Sequence, residues 1–218
     1  MQYKVLPPPI NYINTLGIKD CRVLHAFKMV PRDLFVPEEY KFKAYEDICL
    51  PIGEGQTISQ PSLVALMTGL LELKEDETVL EIGTGSGFQA AVLSYLAKKV
   101  YTVERIASLA SKAKKILGLL HCSNVHVTIA NGTIGLPHHA PYDAIIVTAG
   151  APNIPQPLID QLKLSGRIVI PVGESPNDQK LIVGVKSDHS LETQTIEDVR
   201  FVPLVGKFGW KLNQKKFR

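Results

Sequence analysis

The stretch "VLEIGTGSGFQAAVLSYLAKKVYTVER", residues 79–105, decides the fold. Its β-branched opening reads as a strand, its glycines as a turn, "FQAAVLSYLAK" as a helix and "KVYTVE" (99–104) as a second strand. Strand, turn, helix, strand is the opening of a doubly wound α/β fold, in which the loop after the first strand meets a ligand. The glycines are Gly83, Gly85 and Gly87, spaced G-x-G-x-G, whereas the dinucleotide fingerprint G-x-G-x-x-G needs glycine where this chain has Phe88. A bulky residue there argues against the close helix packing of that motif. Gly83 and Gly85 still suit a ligand lying across the turn, because they keep Cβ atoms out of its way.

Two carboxylates narrow the ligand. Glu104 ends the second strand, where it can accept hydrogen bonds from both hydroxyls of a ribose, and Glu81 before the turn suits positive charge better than a pyrophosphate. Together these features point to S-adenosylmethionine, which has a ribose, an adenine, an amino-acid end and a sulfonium. The expected cofactor contacts here are Glu81, Gly83, Thr84, Gly85, Gly87, Glu104 and Arg105.

Further strands read at "TVLEI" (78–82), "VHVTIA" (125–130), "YDAIIVT" (142–148), "GRIVIPV" (166–172), "LIVGVKS" (181–187) and "TIEDVRFVPL" (195–204). Helical patterns fall between the first five strands, at "FQAAVLSYLAK", "ASLASKAKKILGLL" and "IPQPLIDQLK". The alternation predicts right-handed crossovers and a seven-stranded, mostly parallel sheet whose last two strands form an antiparallel pair at one edge. The fold class expected is a doubly wound, Rossmann-like α/β methyltransferase domain over 77–218. Residues 1–76 read as an N-terminal helical segment broken by Pro31, Pro37, Pro51 and Pro61, with no strand pattern, and the whole is expected to be one compact unit.

Composition bounds the rest. The 218 residues are 45% hydrophobic and 21% charged, enough for a full core. The N-terminus "MQYKVLPPPINY" lacks an apolar run, and no segment approaches the roughly 18 apolar residues of a membrane span, so the reading is cytoplasmic with no membrane partner. Cys21, Cys49 and Cys122 form an odd set without a CxxC pair, which fits reduced thiols. A net charge of +3 with one basic run, "KLNQKKFR", gives no nucleic-acid stripe, and the run reads as a solvated tail. His121, Cys122 and His126 lack a zinc spacing, and His138 and His139 sit in a loop, so no metal is expected. Trp210 is expected to anchor the C-terminal segment.

The segment "MVPRDLFVPEEYKFKAYEDICLPIGEGQTISQPSLVALM" (29–67) resembles the signature of the protein-L-isoaspartate O-methyltransferases: R-x-x-F-V-P, then A-Y-x-D, then a Q-T-I-S-Q-P loop. "APYDAIIVTAGAPNIPQPLIDQLKLSGRIVIPVG" (140–173) and "VRFVPLVG" (199–206) are similar to the same family's second half and C-terminal strand. The likeness runs from about residue 20 to residue 206 and looks closer to the prokaryotic branch. It implies methyl transfer from S-adenosyl-L-methionine, leaving S-adenosyl-L-homocysteine, to the α-carboxylate of L-isoaspartyl residues in damaged proteins and peptides. The ester then closes to a succinimide that reopens partly to aspartate.

By the same resemblance Ser59 is the active-site residue, holding the substrate carboxylate in line with the methyl group, with Thr57 and Ile58 shaping the pocket. Ser59 can equally cap the helix "PSLVALM", and the two roles are compatible. Val202, Pro203 and Leu204 resemble the segment that pairs with the substrate backbone, although the same residues fit an ordinary edge strand. The family's usual Asp-Gly after the third strand reads Asn131-Gly132 here; Asn131 is expected to accept from the adenine amino group without charge assistance. Animal members carry histidines after the serine, where this chain has Ser62 and Val64. Two other readings stand beside this one. A methyltransferase for RNA or small molecules would need an Asn/Asp-Pro-Pro-aromatic motif where this chain reads "VTAGAPNIP", and a non-catalytic module that kept the cofactor fold would have no need of Ser59. Oligomeric state is left open between monomer and homo-oligomer.

Overall fold

The computed structural model describes residues 18 and 20–211. The proline run at 7–9 and the tail beyond Lys211 lie outside the described residues. Helix α1 (Cys21–Met29) opens at Asp20, whose carboxylate accepts the Arg22 N–H at 2.9 Å and pairs with its guanidinium at 2.6 Å. That pair holds the Asp20 carboxyl below its usual range, mainly through the side-chain bond to Arg22. Pro31 and Pro37 stop further α-helix, and two 3₁₀ turns, Arg32–Phe35 and Glu38–Lys43, follow them.

The next element departs from the expected all-helical segment. Residues 50–58 form an antiparallel hairpin of β1 (Leu50–Gly53) and β2 (Gln56–Ile58). Glu54 and Gly55 both take positive φ, 55° and 66°, which is the backbone a tight two-residue hairpin turn requires. The hairpin is short and carries Pro51, so its period-two pattern is weak in the sequence. Its alternation is nevertheless real: Leu50, Ile52 and Ile58 are buried while Pro51 and Thr57 face out. Helix α2 (Pro61–Leu70) follows, with proline at its first position.

From Thr78 onward the alternation is as expected: β3 (Thr78–Ile82), α3 (Phe88–Leu93), β4 (Lys99–Glu104), α4 (Ala107–Leu119), β5 (Val125–Ile129), β6 (Tyr142–Val147), α5 (Gln156–Asp160), β7 (Leu162–Ser175), β8 (Asp178–Lys186) and β9 (Leu191–Val199). The seven strands lie in the order β5-β4-β3-β6-β7-β8-β9. Pairs from β5 through β7 are parallel, β8 and β9 form the expected antiparallel pair at the edge, and β8 is antiparallel to β7 as well. Strand order reverses between β3 and β6, which places a ligand crevice at the carboxyl ends of β3, β4 and β6.

The final strand ends at Val199, five residues earlier than "TIEDVRFVPL" suggests. The ladder runs out there because β8 begins at Asp178 and its Gln179 already pairs with Val199, and the side chain of buried Gln179 holds the chain beyond. Its side-chain oxygen accepts the Phe201 N–H at 2.9 Å, and its amide donates to Phe201 O at 3.1 Å and Pro176 O at 2.9 Å. With both polar groups of Phe201 satisfied by that side chain, the chain leaves the sheet edge and crosses to Gly150.

Phe88, the residue that breaks the dinucleotide motif, joins the N-terminal segment to the sheet. Its ring meets Phe27 and Phe35 edge-on, with centroids 5.7 and 5.5 Å away, and the guanidinium of buried Arg32 lies 5.0 Å from its centre. Each aromatic pair is worth about 0.5–1.5 kcal/mol beyond area burial. One apolar core runs without interruption from Val23 and Phe35 to Val79 and Ile146.

Candidate active site

The crevice is built on the turn after β3. Gly83 has φ 100°, its N–H donates to Val103 O at 2.8 Å, and the Thr148 hydroxyl donates to its carbonyl at 2.7 Å. A Cβ at Gly83 would lie 2.4 Å from that hydroxyl oxygen, so both conformation and space demand glycine. Gly85, at φ 52°, gives its N–H to Glu104 Oε2 at 2.9 Å, and the Ile106 N–H reaches Oε1 at 2.9 Å. The carboxylate of buried Glu104 is thereby aimed by two backbone donors while keeping lone pairs for a ligand. Thr84 is buried below, its hydroxyl 2.6 Å from that of Thr102. Gly87, at φ 92°, precedes α3 and packs toward Ala113.

Two adjoining cavities flank this turn. One, of about 70 Å³, is bordered by Gly83, Gly85, Glu104, Arg105, Gly132 and residues 202–205. The other, of about 40 Å³, holds Thr57, Ile58, Ser59, Thr84 and Ser86. Thr57, Gly83, Gly85 and Thr148 border both, so the serine loop and the glycine turn face a common space. The hairpin tip is fastened across it by Glu54 Oε1, which accepts the Ser108 hydroxyl at 2.6 Å. A groove of about 970 Å³ opens beside Thr57, Val202 and Pro203 and runs to Trp210.

The structure thus brings most of the sequence-nominated residues together, with three qualifications. Ser59 is half-buried and makes no hydrogen bond among the described residues, and it is not the helix cap. The Ser62 N–H is met instead by Asp47 Oδ1 at 2.8 Å. Asn131 turns its side-chain oxygen to Thr133, accepting from the N–H at 3.1 Å and from the hydroxyl at 2.8 Å, and it is Gly132 that lines the cavity. Val202 and Leu204 spend main-chain groups on Gly150, whose N–H reaches Val202 O at 2.8 Å and whose carbonyl accepts Leu204 N–H at 2.7 Å. Pro203 O keeps no partner among the described residues and borders the groove.

Thr148, Asp47 and Gln179 make hydrogen bonds that shape the site, and the sequence reading gave none of them a role, although Asp47 stands in the A-Y-x-D segment. Thr148 had a usable signal, since it ends the strand that neighbours β3 at the order reversal. Trp210 does anchor the C-terminal segment, its indole N–H donating to Gly150 O at 3.0 Å. His126 and His139 pack on Tyr101, with centroids 5.2 and 4.2 Å away, and no metal-binding group of three or more His, Cys, Asp or Glu occurs among the described residues.

Glu81 supplies the chemical test of the cofactor expectation. It lies wholly buried on β3, and neither carboxylate oxygen has a hydrogen-bond partner among the described residues. Burial pushes its carboxyl from 4.5 up to about 8; the Thr102 hydroxyl, already engaged with Thr84, opposes this only in part, and Glu104 adds repulsion. An unmet acid under the turn fits a ligand that brings a cation, as S-adenosylmethionine does. Because the folded pKa is raised, the folded state holds a proton that the unfolded state releases above 4.5. Stability from this group is therefore full below 4.5 and declines as pH rises to about 8. Glu81→Gln removes the titration, so thermal melts between about pH 5 and about pH 9 should show the variant gaining on the parent as pH rises. A constant difference across that range would contradict the assignment.

A family model described as protein-L-isoaspartate(D-aspartate) O-methyltransferase matches residues 10–209. The protein-L-isoaspartate O-methyltransferase of Trichlorobacter lovleyi is 52% identical over 197 residues, 90% of this chain and 91% of that one. The Geobacter metallireducens enzyme of the same name is 54% identical over 194 residues, covering 89% and 90%. A solved protein-L-isoaspartate O-methyltransferase superposes with a TM-score of 0.85 at 32% identity, covering 92% of this chain and 66% of its own length. A Plasmodium falciparum protein solved with S-adenosyl-L-homocysteine shares the fold at a TM-score of 0.78 and 24% identity, covering 90% and 96%.

Proposed function

We propose that this chain, which belongs to the protein-L-isoaspartate(D-aspartate) O-methyltransferase family, carries out the family's reaction in the space shared by the glycine turn and the Ser59 loop. It is an S-adenosylmethionine-dependent enzyme that esterifies L-isoaspartyl residues of damaged proteins, after which a succinimide forms and reopens partly to aspartate. The observation that carries the site assignment is Ser59: its hydroxyl has no partner among the described residues, and the residue borders the cavity that adjoins the one lined by Glu104.

When bound, S-adenosylmethionine supplies an electrophilic methyl group on sulfonium. Glu104, held by Gly85 and Ile106, is the group we assign to the ribose hydroxyls, and Glu81, which holds a proton in the free chain, becomes a counter-charge to the cationic end by giving that proton up when the ligand binds. Gly83 and Gly85 let the ligand approach the backbone. A substrate carboxylate, with an ordinary pKa near 3.9, is already ionised at neutral pH, so no residue has to act as general base. Attack of an anion on a cation neutralises charge, so alignment and exclusion of water are the tasks left to the protein. Ser59 fixes the carboxylate, Thr57 and Ile58 wall the pocket, and Pro203 O, without a partner among the described residues, offers an acceptor to an extended peptide in the neighbouring groove.

A base-methylating alternative lacks its motif at the usual place. After β6 the chain reads Thr148-Ala149-Gly150, and Gly150 is engaged by Val202, Leu204 and Trp210. Among the described residues no helix is long and apolar enough to cross a membrane, and we read the partners as damaged proteins in the cytoplasm. Incubating a synthetic isoaspartyl peptide with enzyme and S-adenosylmethionine should yield the aspartyl peptide, followed by chromatography over repeated cycles. An unchanged isoaspartyl fraction would overturn the reading.

A further inference from the structure

Helix α2 begins with a residue that cannot donate, Pro61, so the first amide that needs an acceptor is that of Ser62. The residue in the cap position, Gln60, makes no capping bond; its side-chain amide donates to the Ser62 hydroxyl at 2.9 Å. The acceptor comes from outside the helix: Asp47 Oδ1, fifteen residues earlier, lies 2.8 Å from Ser62 N. Ser59 stands three residues before Ser62, a separation at which capping side chains work, yet its hydroxyl has no partner among the described residues and the residue borders the cavity. Asp47 itself borders neither cavity beside the glycine turn.

We propose that Asp47 is a positioning residue for Ser59: by satisfying the Ser62 amide it removes the competing hydrogen bond, so that the serine hydroxyl stays directed to the substrate carboxylate. This rests on the reading of Ser59 given above. Without Asp47, Ser59 is the hydroxyl placed at capping distance in sequence, and a serine that caps α2 is withdrawn from the cleft. Only the acceptor oxygen is needed, since asparagine caps helices about as well as aspartate.

The test is a cycle of Asp47→Ala, Asp47→Asn, Ser59→Ala and the Asp47→Ala/Ser59→Ala double variant, assayed on an isoaspartyl peptide with S-adenosyl-L-homocysteine binding measured alongside. Asp47→Ala is expected to lower kcat on the order of tenfold, with cofactor-product affinity changed less than about twofold. Asp47→Asn should keep the parent kcat. In the Ser59→Ala background, Asp47→Ala should cost less than about twofold more, because both changes act through one hydroxyl. Additive losses, failure of Asp47→Asn to retain activity, or an Asp47→Ala enzyme with parental kcat would each overturn the proposal. If the unmutated enzyme leaves the isoaspartyl peptide unmethylated, it is the site reading itself that fails.

Discussion

Glu104→Ala is expected to weaken S-adenosyl-L-homocysteine binding by roughly a hundredfold or more, measured by calorimetry, with peptide methylation falling in step. Two losses combine. The carboxylate is the acceptor proposed for the ribose hydroxyls, and hydrogen bonds to a charged group are each worth about 1.5–3 kcal/mol. The same oxygens accept the Gly85 and Ile106 N–H groups at 2.9 Å, so alanine also releases the backbone of the turn from its neighbouring strand end. Glu104→Gln separates the two losses, because an amide can still accept one backbone bond but offers a single oxygen. Its affinity should fall between those of the parent and the alanine variant. Affinity for S-adenosyl-L-homocysteine within about threefold of the parent in both variants would remove Glu104 from the ribose site.

The α/β core was readable because its signals are local and redundant. Buried runs such as "VLEI" and "AIIV" sit on interior parallel strands, where both faces are covered, and the glycines fall where the backbone takes positive φ. Features made by long-range side chains were not readable. Nothing near Phe201 announces that Gln179, 22 residues away, will occupy both its polar groups where the chain leaves the sheet after Val199. Nothing near Ser59 announces that Asp47 will take the cap it could have supplied. The β1–β2 hairpin was hidden by brevity and by Pro51, and its turn used Glu54 at positive φ rather than a stronger turn former. Glu81 was nominated from position alone, and its burial without a hydrogen-bond partner among the described residues is a tertiary feature that no local pattern shows. Asn131 shows how identity and orientation separate, since the residue type suited adenine while its oxygen is held by Thr133.

Ser59→Ala carries the second large expectation. Loss of one charge-assisted hydrogen bond to the substrate carboxylate should cost roughly ten- to a hundredfold in methyl transfer. Because Ser59 lines the cavity beyond Thr57 rather than the one bordered by Glu104, binding of S-adenosyl-L-homocysteine should be nearly unchanged. The loss should fall on kcat/KM for the peptide, since alignment of carboxylate with methyl is what the hydroxyl provides. Loss of cofactor-product binding together with activity would instead indicate a collapsed loop.

The most direct measurement is transfer of labelled methyl from S-adenosylmethionine to two peptides of one sequence, containing either L-isoaspartate or normal aspartate, with parent enzyme and Ser59→Ala side by side. The account predicts label on the isoaspartyl peptide alone, reduced at least about tenfold by the substitution. Equal labelling of both peptides, or isoaspartyl labelling indifferent to Ser59, would contradict it.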